Sequence, residues 1–288
     1  MAEERSGFDN LDQPARLAAW VALKPRTMVN TVVLAAVLLS WAALAALAIG
    51  TARFSLPPAG APGDSLLRLL QDVPLPAWTS AFVSACMTPA AAGGILVLWA
   101  MWTLMATATM LPSAAPMVRT YCEIADTAAA KQEAVAHPLV LVAGYLTVWL
   151  AAALAFAAAT AALSGPAAAP TSGFVAPAAL AVAGLYQFSG LKQACLDKCR
   201  NPFTILFARW SSKPSRIFRL GTEQGLWCLG CCWALMLVMF AVGVMNIFWM
   251  ALIGLFAAVE KQWDSAIPSR LAGAILLVWA ALLTVVSI

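Results

Sequence analysis

Five cysteines and five methionines hold most of the chemical potential of this chain. Cys195 and Cys199 lie four residues apart, as do Cys228 and Cys232, and Cys231 follows Cys228 by three. On a helix each of these pairs shares a face. Met101 and Met105 repeat the four-residue spacing, Met110 follows, and Met236 and Met239 continue the face of Cys228 and Cys232 through Gly243 and Asn246 to Met250. Thiolate and thioether sulfur suits soft metals, copper(I) first, and zinc where thiolates alone are used. Lys198 and Arg200 are expected to favour the thiolate form of the nearby cysteines. His137 is the single histidine, which excludes a bis-His haem or a three-His zinc centre built within this chain. Seven cysteines, an odd number placed mostly beside apolar runs, do not resemble a secreted disulfide framework.

The elements that must position these sulfurs are membrane helices. The chain is 62% hydrophobic and 10% charged, with a mean hydropathy of +0.85. A soluble domain carries roughly a quarter charged residues. The composition implies an all-α, polytopic transmembrane helix bundle whose first partner is the lipid bilayer. The net charge of +4 gives no nucleic-acid signal, because the basic residues concentrate in one loop.

Residues 1–27 read as a polar cytoplasmic segment and 28–288 as a single transmembrane domain. The first span is expected at 28–50 as an uncleaved anchor. An outer loop follows over 51–88, with Asp64 and Ser65 capping a short amphipathic helix through Leu70. The second span falls at 89–111. An interfacial helix over 117–137 leads to a third span at 138–163, and the fourth is placed at 174–190. The stretch 191–224 is a basic cytoplasmic loop: Lys192 to Arg219 contains seven of the seventeen Lys and Arg residues and one acidic residue, Asp197. This places the N-terminus inside and the protein in a bacterial inner membrane. The apolar run 225–259 would reach roughly 50 Å as one helix, longer than a ~30 Å hydrocarbon core. Its unbroken sulfur face favours one tilted helix, ended by Glu260 and Lys261, over a turn between Gly243 and Asn246. With a last span at 270–288 this makes six spans, or seven if the run turns. No span has a carboxylate or lysine near its middle, which argues against a proton-coupled transporter.

Topology brings the sulfurs to one depth. Cys195 and Cys199 sit at the cytoplasmic end of the fourth span, and Cys228, Cys231 and Cys232 at the cytoplasmic start of the fifth. Met105 and Met110 lie in the cytoplasmic half of the second. A single membrane methionine usually fills a packing gap, and a single cysteine serves as a small apolar residue. Five cysteines at one depth point further. Gly221 and Gly225 form a small-xxx-small pair suited to close helix packing.

These residues resemble an uncharacterised bacterial family of predicted metal-binding integral membrane proteins. The resemblance rests on Met101-Trp102, Met105, Met110-Leu111-Pro112-Ser113-Ala114-Ala115-Pro116, Tyr186-Gln187, Leu191-Lys192, Cys195 and Cys199-Arg200. It continues through Cys228, Gly230-Cys231-Cys232-Trp233, Leu235-Met236 and Glu260-Lys261. It covers roughly 98–262. Thr109 stands where the family pattern has a methionine, and Ser189-Gly190 where it has Thr-Pro. The resemblance implies metal binding.

The expected function is therefore binding of copper(I), with zinc as the other candidate, by Cys195, Cys199, Cys228, Cys231 and Cys232. Met101, Met105, Met110, Met236 and Met239 form an approach path for translocation or delivery. We single out no catalytic residues for an enzyme. Two other readings remain open: a thiol–disulfide oxidoreductase using the Cys228-x-x-Cys231 spacing, and a non-catalytic accessory subunit of a membrane complex.

Overall fold

A computed structural model of the chain describes residues 25–54, 76–87, 94–163, 172–243 and 246–287, with 12 and 74 as isolated positions. The proposed helix from Asp64 to Leu70 lies outside the described residues. The described residues form helices and no strand: α1 (Pro25–Phe54), α2 (Ala77–Met87), α3 (Gly94–Ser113), α4 (Ala115–Ala130), α5 (Pro138–Leu163), α6 (Ser172–Tyr186), α7 (Gly190–Arg200), α8 (Pro202–Ala208), α9 (Pro214–Val242), α10 (Ile247–Gln262) and α11 (Ile267–Ser287).

Five of them, α1, α3, α5, α9 and α11, are long and apolar enough to cross a membrane. A sixth crossing arises if α6 and α7, bent by 65° at their junction, count as one span. These six fall on the expected spans, but the fifth, 225–259, is matched only as far as Val242, and the return of the remainder as α10 follows the seven-span alternative. Leu39 on α1 and Val285 on α11 are 70% and 74% exposed, so both helices present apolar side chains outward. In water that surface would drive association, whereas in lipid it costs nothing.

The stretch 225–259 corrects one expectation: it is not a single helix. Helix α9 ends at Val242, and Gly243 adopts φ +96°, a conformation that glycine reaches without the steric cost of a Cβ. The Asn246 side chain then accepts hydrogen bonds from the Phe248 and Trp249 amides and caps α10. A shared sulfur face could not reveal this, because a cap and a positive-φ glycine are local backbone events. Helix α10 runs back along α9 for ~24 Å at ~1.5 Å per residue. Its last turn reaches the level of Cys228, since Lys261 touches that residue. The supposed outer loop also contains a helix, α2.

One end of the bundle collects the basic residues. There α3, α6 and α10 finish, α5, α9 and α11 begin, and α4, α7 and α8 lie. Arg26 at the start of α1 pairs with Asp126 of α4 at 3.7 Å. The basic stretch expected as a loop is thus largely helical. Ser189 caps α7 by accepting from the Lys192 amide, which accounts for the serine at this position.

The most intimate packing joins the parallel helices α5 and α9. A Cβ on Gly221 would lie 2.1 Å from the Leu141 carbonyl oxygen, and one on Gly144 would lie 2.1 Å from that of Phe218. Only glycine permits this backbone contact. The approach carries Tyr145 of α5 up to the cysteines of α9. On the other flank α10 packs on α3, where a Cβ on Gly254 would meet Thr109 at 3.0 Å. Thr109, which also hydrogen-bonds the Met105 carbonyl, is a packing residue at this contact.

Candidate metal centre

The Sγ atoms of Cys228, Cys231 and Cys232 all lie within 4.8 Å of one another, and all three residues are buried. Helical geometry explains the grouping: steps of three and four residues return side chains to one face. Cys231 Sγ is 3.2 Å from Cys232 Sγ and also donates to the Cys228 carbonyl at 3.1 Å. Cys199, half-buried on α7, brings its Sγ to 3.9 Å from that of Cys231. Four of the five expected cysteines therefore form one sulfur group. Cys195 does not join it. Its Sγ occupies a notch in α9 left by Gly230, where a Cβ would approach to 2.6 Å.

The surroundings of the sulfurs are polar and come from three other helices. Tyr145 Oη lies 3.0 Å from Cys228 Sγ and donates to the Met110 carbonyl at 2.9 Å. Lys261 Nζ donates to Cys228 Sγ at 3.0 Å and to Ser113 Oγ at 2.6 Å. Among the described residues no carboxylate lies within ion-pairing distance of Lys261. A buried ammonium needs a negative partner, and the touching group able to become one without a carboxylate is the Cys228 thiol.

Beside the sulfurs lies a closed ion pair. Lys192 Nζ meets Glu260 Oε2 at 2.8 Å with both side chains fully buried, and it also donates to the Cys231 carbonyl at 3.2 Å. Ser269 Oγ donates to the other Glu260 oxygen at 2.6 Å. Arg200 donates to the Glu260 and Ser265 carbonyls at 3.0 Å each. The expectation that Arg200 and Lys198 favour the thiolates is therefore corrected. Arg200 ties α7 to the α10–α11 connection, Lys198 is exposed, and Lys261 is the cation that touches sulfur.

The expected methionines are all core residues. Met101, Met105 and Met110 on α3 and Met236 and Met239 on α9 are at most 4% exposed. They begin beside the cysteines, at Met110, and run toward the opposite end of the bundle. His137 stands apart, its Nδ1 accepting from the Leu139 amide at the start of α5.

Sequence reasoning did not find Lys192, Tyr145, Ser113, Glu260 or Lys261 as parts of the centre. Two signals were available: Ser113, Lys192, Glu260 and Lys261 are among the residues that carry the family resemblance, and the charged ones are also well placed. Lys192 and the Glu260-Lys261 pair flank apolar runs at the same end of the bundle as the cysteines, where they could turn inward as well as outward.

No curated protein and no solved structure matches this chain. A family model described as PpoB2, copper chaperone, matches residues 99–283. That range takes in the four grouped cysteines, Cys195, the five methionines and the polar residues that touch sulfur. It spans more than half of the sequence, and the protein belongs to the PpoB2 copper chaperone family.

Proposed function

We propose that the protein holds copper(I) as cargo on Cys228, Cys231 and Cys232, with Cys199 at the open edge, and passes it on for delivery. The observation that carries this reading is the buried Cys228–Cys231–Cys232 group beside a lysine that has no carboxylate partner among the described residues. Sulfurs at ~2.3 Å from a central ion in a trigonal plane lie about 4 Å apart. The separations in the group, from 3.2 Å up to 4.8 Å, require only small side-chain rotations to reach that spacing. Three thiolates around a monovalent ion leave two negative charges, and the Lys261 ammonium offsets one. Four thiolates would also suit zinc, whereas copper(I) accepts thioether as well as thiolate sulfur. The neighbouring methionines therefore favour copper.

The bundle is read as multi-pass in a bacterial inner membrane, with the basic end in the cytoplasm. The buried methionines then lead from the cysteines toward the outer face, and their thioethers can pass the ion without gaining or losing a proton. Cys195 stands at the approach to the group.

Metal analysis of the detergent-extracted protein tests this. The wild-type chain should retain copper, and the Cys228→Ser/Cys232→Ser double variant should lose it while remaining folded by circular dichroism. Equal copper in the two samples would sink the reading.

A further inference from the structure

An open cleft of about 600 Å³ lies between α7, α8 and α9 at the basic end, lined among others by Cys195, Lys198, Arg209, Glu223 and Trp227. We infer that this cleft is the port through which copper(I) is exchanged with an anionic copper–thiolate carrier, Cys195 being the first protein thiol to take the ion. The inference rests on the copper reading above and deepens it by naming an entry and a class of donor.

Three observations support the port. Among the described residues Cys195 is the one cysteine that borders the cleft, and its sulfur fills the notch at Gly230, the residue immediately before Cys231. Cys199 stands one helical turn further along α7, with its sulfur 3.9 Å from that of Cys231. An ion in the cleft would therefore meet Cys195, then Cys199, then the buried group. Finally, the rim is basic. Lys198 is exposed, and an adjoining cleft of about 590 Å³ adds Arg216 and Arg219 to Arg209, with Glu223 the one acid shared by both. Glu223 is already engaged, by Arg209 and by Arg219. Such a surface attracts anions and repels free cations. Copper(I) carried on two thiolates is an anion.

Each step forms one copper–sulfur bond and breaks another. The copper remains monovalent, no electron moves, and the proton lost by the incoming thiol is taken up by the thiolate it displaces. Cys195 needs no place in the final coordination sphere. It lowers the barrier by offering sulfur before the carrier has let go.

Loading of the detergent-solubilised full chain, followed by rapid mixing under reducing conditions, tests the port. Copper(I) is presented as its glutathione complex, on an acidic protein with a two-cysteine loop, or as the cationic acetonitrile complex. Cys195→Ser should reach the wild-type copper content roughly tenfold more slowly from the glutathione complex, the scale of one lost transition-state ligand. Gly230→Ala, which displaces the Cys195 sulfur without removing any thiol, should slow loading in the same direction. Lys198→Glu should slow the two anionic donors and not the acetonitrile complex, and added salt should do the same. Faster loading from the protein than from glutathione at equal copper activity identifies a protein carrier, and the reverse order a small thiol. A Cys195→Ser protein that loads as fast as wild type overturns the port and leaves the copper reading standing. A wild-type protein that takes up no copper overturns both.

Discussion

Two lysines are buried at the same end of this bundle, and they are held in opposite ways. Lys192 lies against Glu260 at 2.8 Å, and Ser269 occupies the other carboxylate oxygen. Its charge is balanced within the fold. Lys261, one residue along the chain from Glu260, has Ser113 and the Cys228 thiol in its place. Among the described residues its charge is balanced only when a thiol becomes a thiolate. The first arrangement locks α7 to α10 and α11. The second leaves a demand for negative charge at the point where three cysteines converge. Buried charge alone therefore does not mark the site; the identity of the counter-charge does.

The largest expected effect comes from breaking the closed pair. Glu260→Ala leaves Lys192 without its partner, and removing one member of a buried pair costs about 3–5 kcal/mol. The variant should extract poorly and unfold at lower temperature whether or not copper is present. Replacing both members with apolar residues, as in Lys192→Met/Glu260→Leu, should recover most of that loss, because the desolvation cost disappears together with the attraction. A double variant as unstable as the single one would show that the pair does more than balance charge.

The same treatment of the other lysine should give the opposite pattern. Lys261→Met removes a buried ammonium that strands no carboxylate among the described residues, so the copper-free protein should be no less stable than wild type. Copper affinity should instead fall about 10–100-fold, the usual effect of losing a group that supports the ligands. Competition against a copper(I) chelator measures the affinity, and thermal denaturation of the copper-free protein measures the fold. If Lys261→Met unfolds the protein and leaves affinity unchanged, the two lysines do the same work and the contrast fails.

How much of this was legible beforehand differs between backbone and site. Helix α5 runs over the residues expected for the third span, 138–163, because an uninterrupted apolar run bounded by Pro138 and polar residues has one solution in a bilayer. The break at Gly243 was not resolved, since the apolar run continues through it and only a cap and a dihedral mark the turn. The grouping of Cys228, Cys231 and Cys232 follows from helical spacing within one element. Lys261 and Tyr145 do not follow from spacing, because they reach Cys228 from other helices. Tyr145 is delivered by the glycine contact between α5 and α9, and Lys261 by the return of α10. In the sequence Glu260 and Lys261 mark only the end of an apolar run, the ordinary place for adjacent opposite charges. Contacts between residues 33 or 83 positions apart depend on packing that periodicity does not encode.

Cys122 gives a smaller check within the same protein. It is as buried as the cluster cysteines, but it lies on α4, outside the long apolar helices. Burial, and then the charge of Asp126, push its thiol up to about 11. At neutral pH it should be a neutral, unreactive packing residue. Alkylation by a small neutral reagent should be slow there and should quicken as pH rises toward that value, because only the thiolate reacts. Added copper should protect the Cys228 group and leave the Cys122 rate unchanged. Protection of Cys122 as well would mean that copper acts through the whole fold.

The smallest effect expected is at Tyr145. Its hydroxyl donates to the Met110 carbonyl and faces Cys228 Sγ, so it links α3, α5 and α9 at the sulfur group. Tyr145→Phe keeps the ring and removes one buried hydrogen-bonding group, a net cost of about 0.5–1.5 kcal/mol. Because the hydroxyl already spends its proton on a carbonyl, it can offer Cys228 lone-pair density but no second hydrogen. It thus supports the sulfur while that sulfur is a thiol, whereas Lys261 supports it once it is a thiolate. Loss of the hydroxyl should lower the stability of the copper-free protein more than that of the copper-bound form, and Lys261→Met should do the reverse. Measuring both variants with and without copper sets the two neighbours of one sulfur against each other. If the two shift in the same direction, Tyr145 and Lys261 recognise the same state of Cys228.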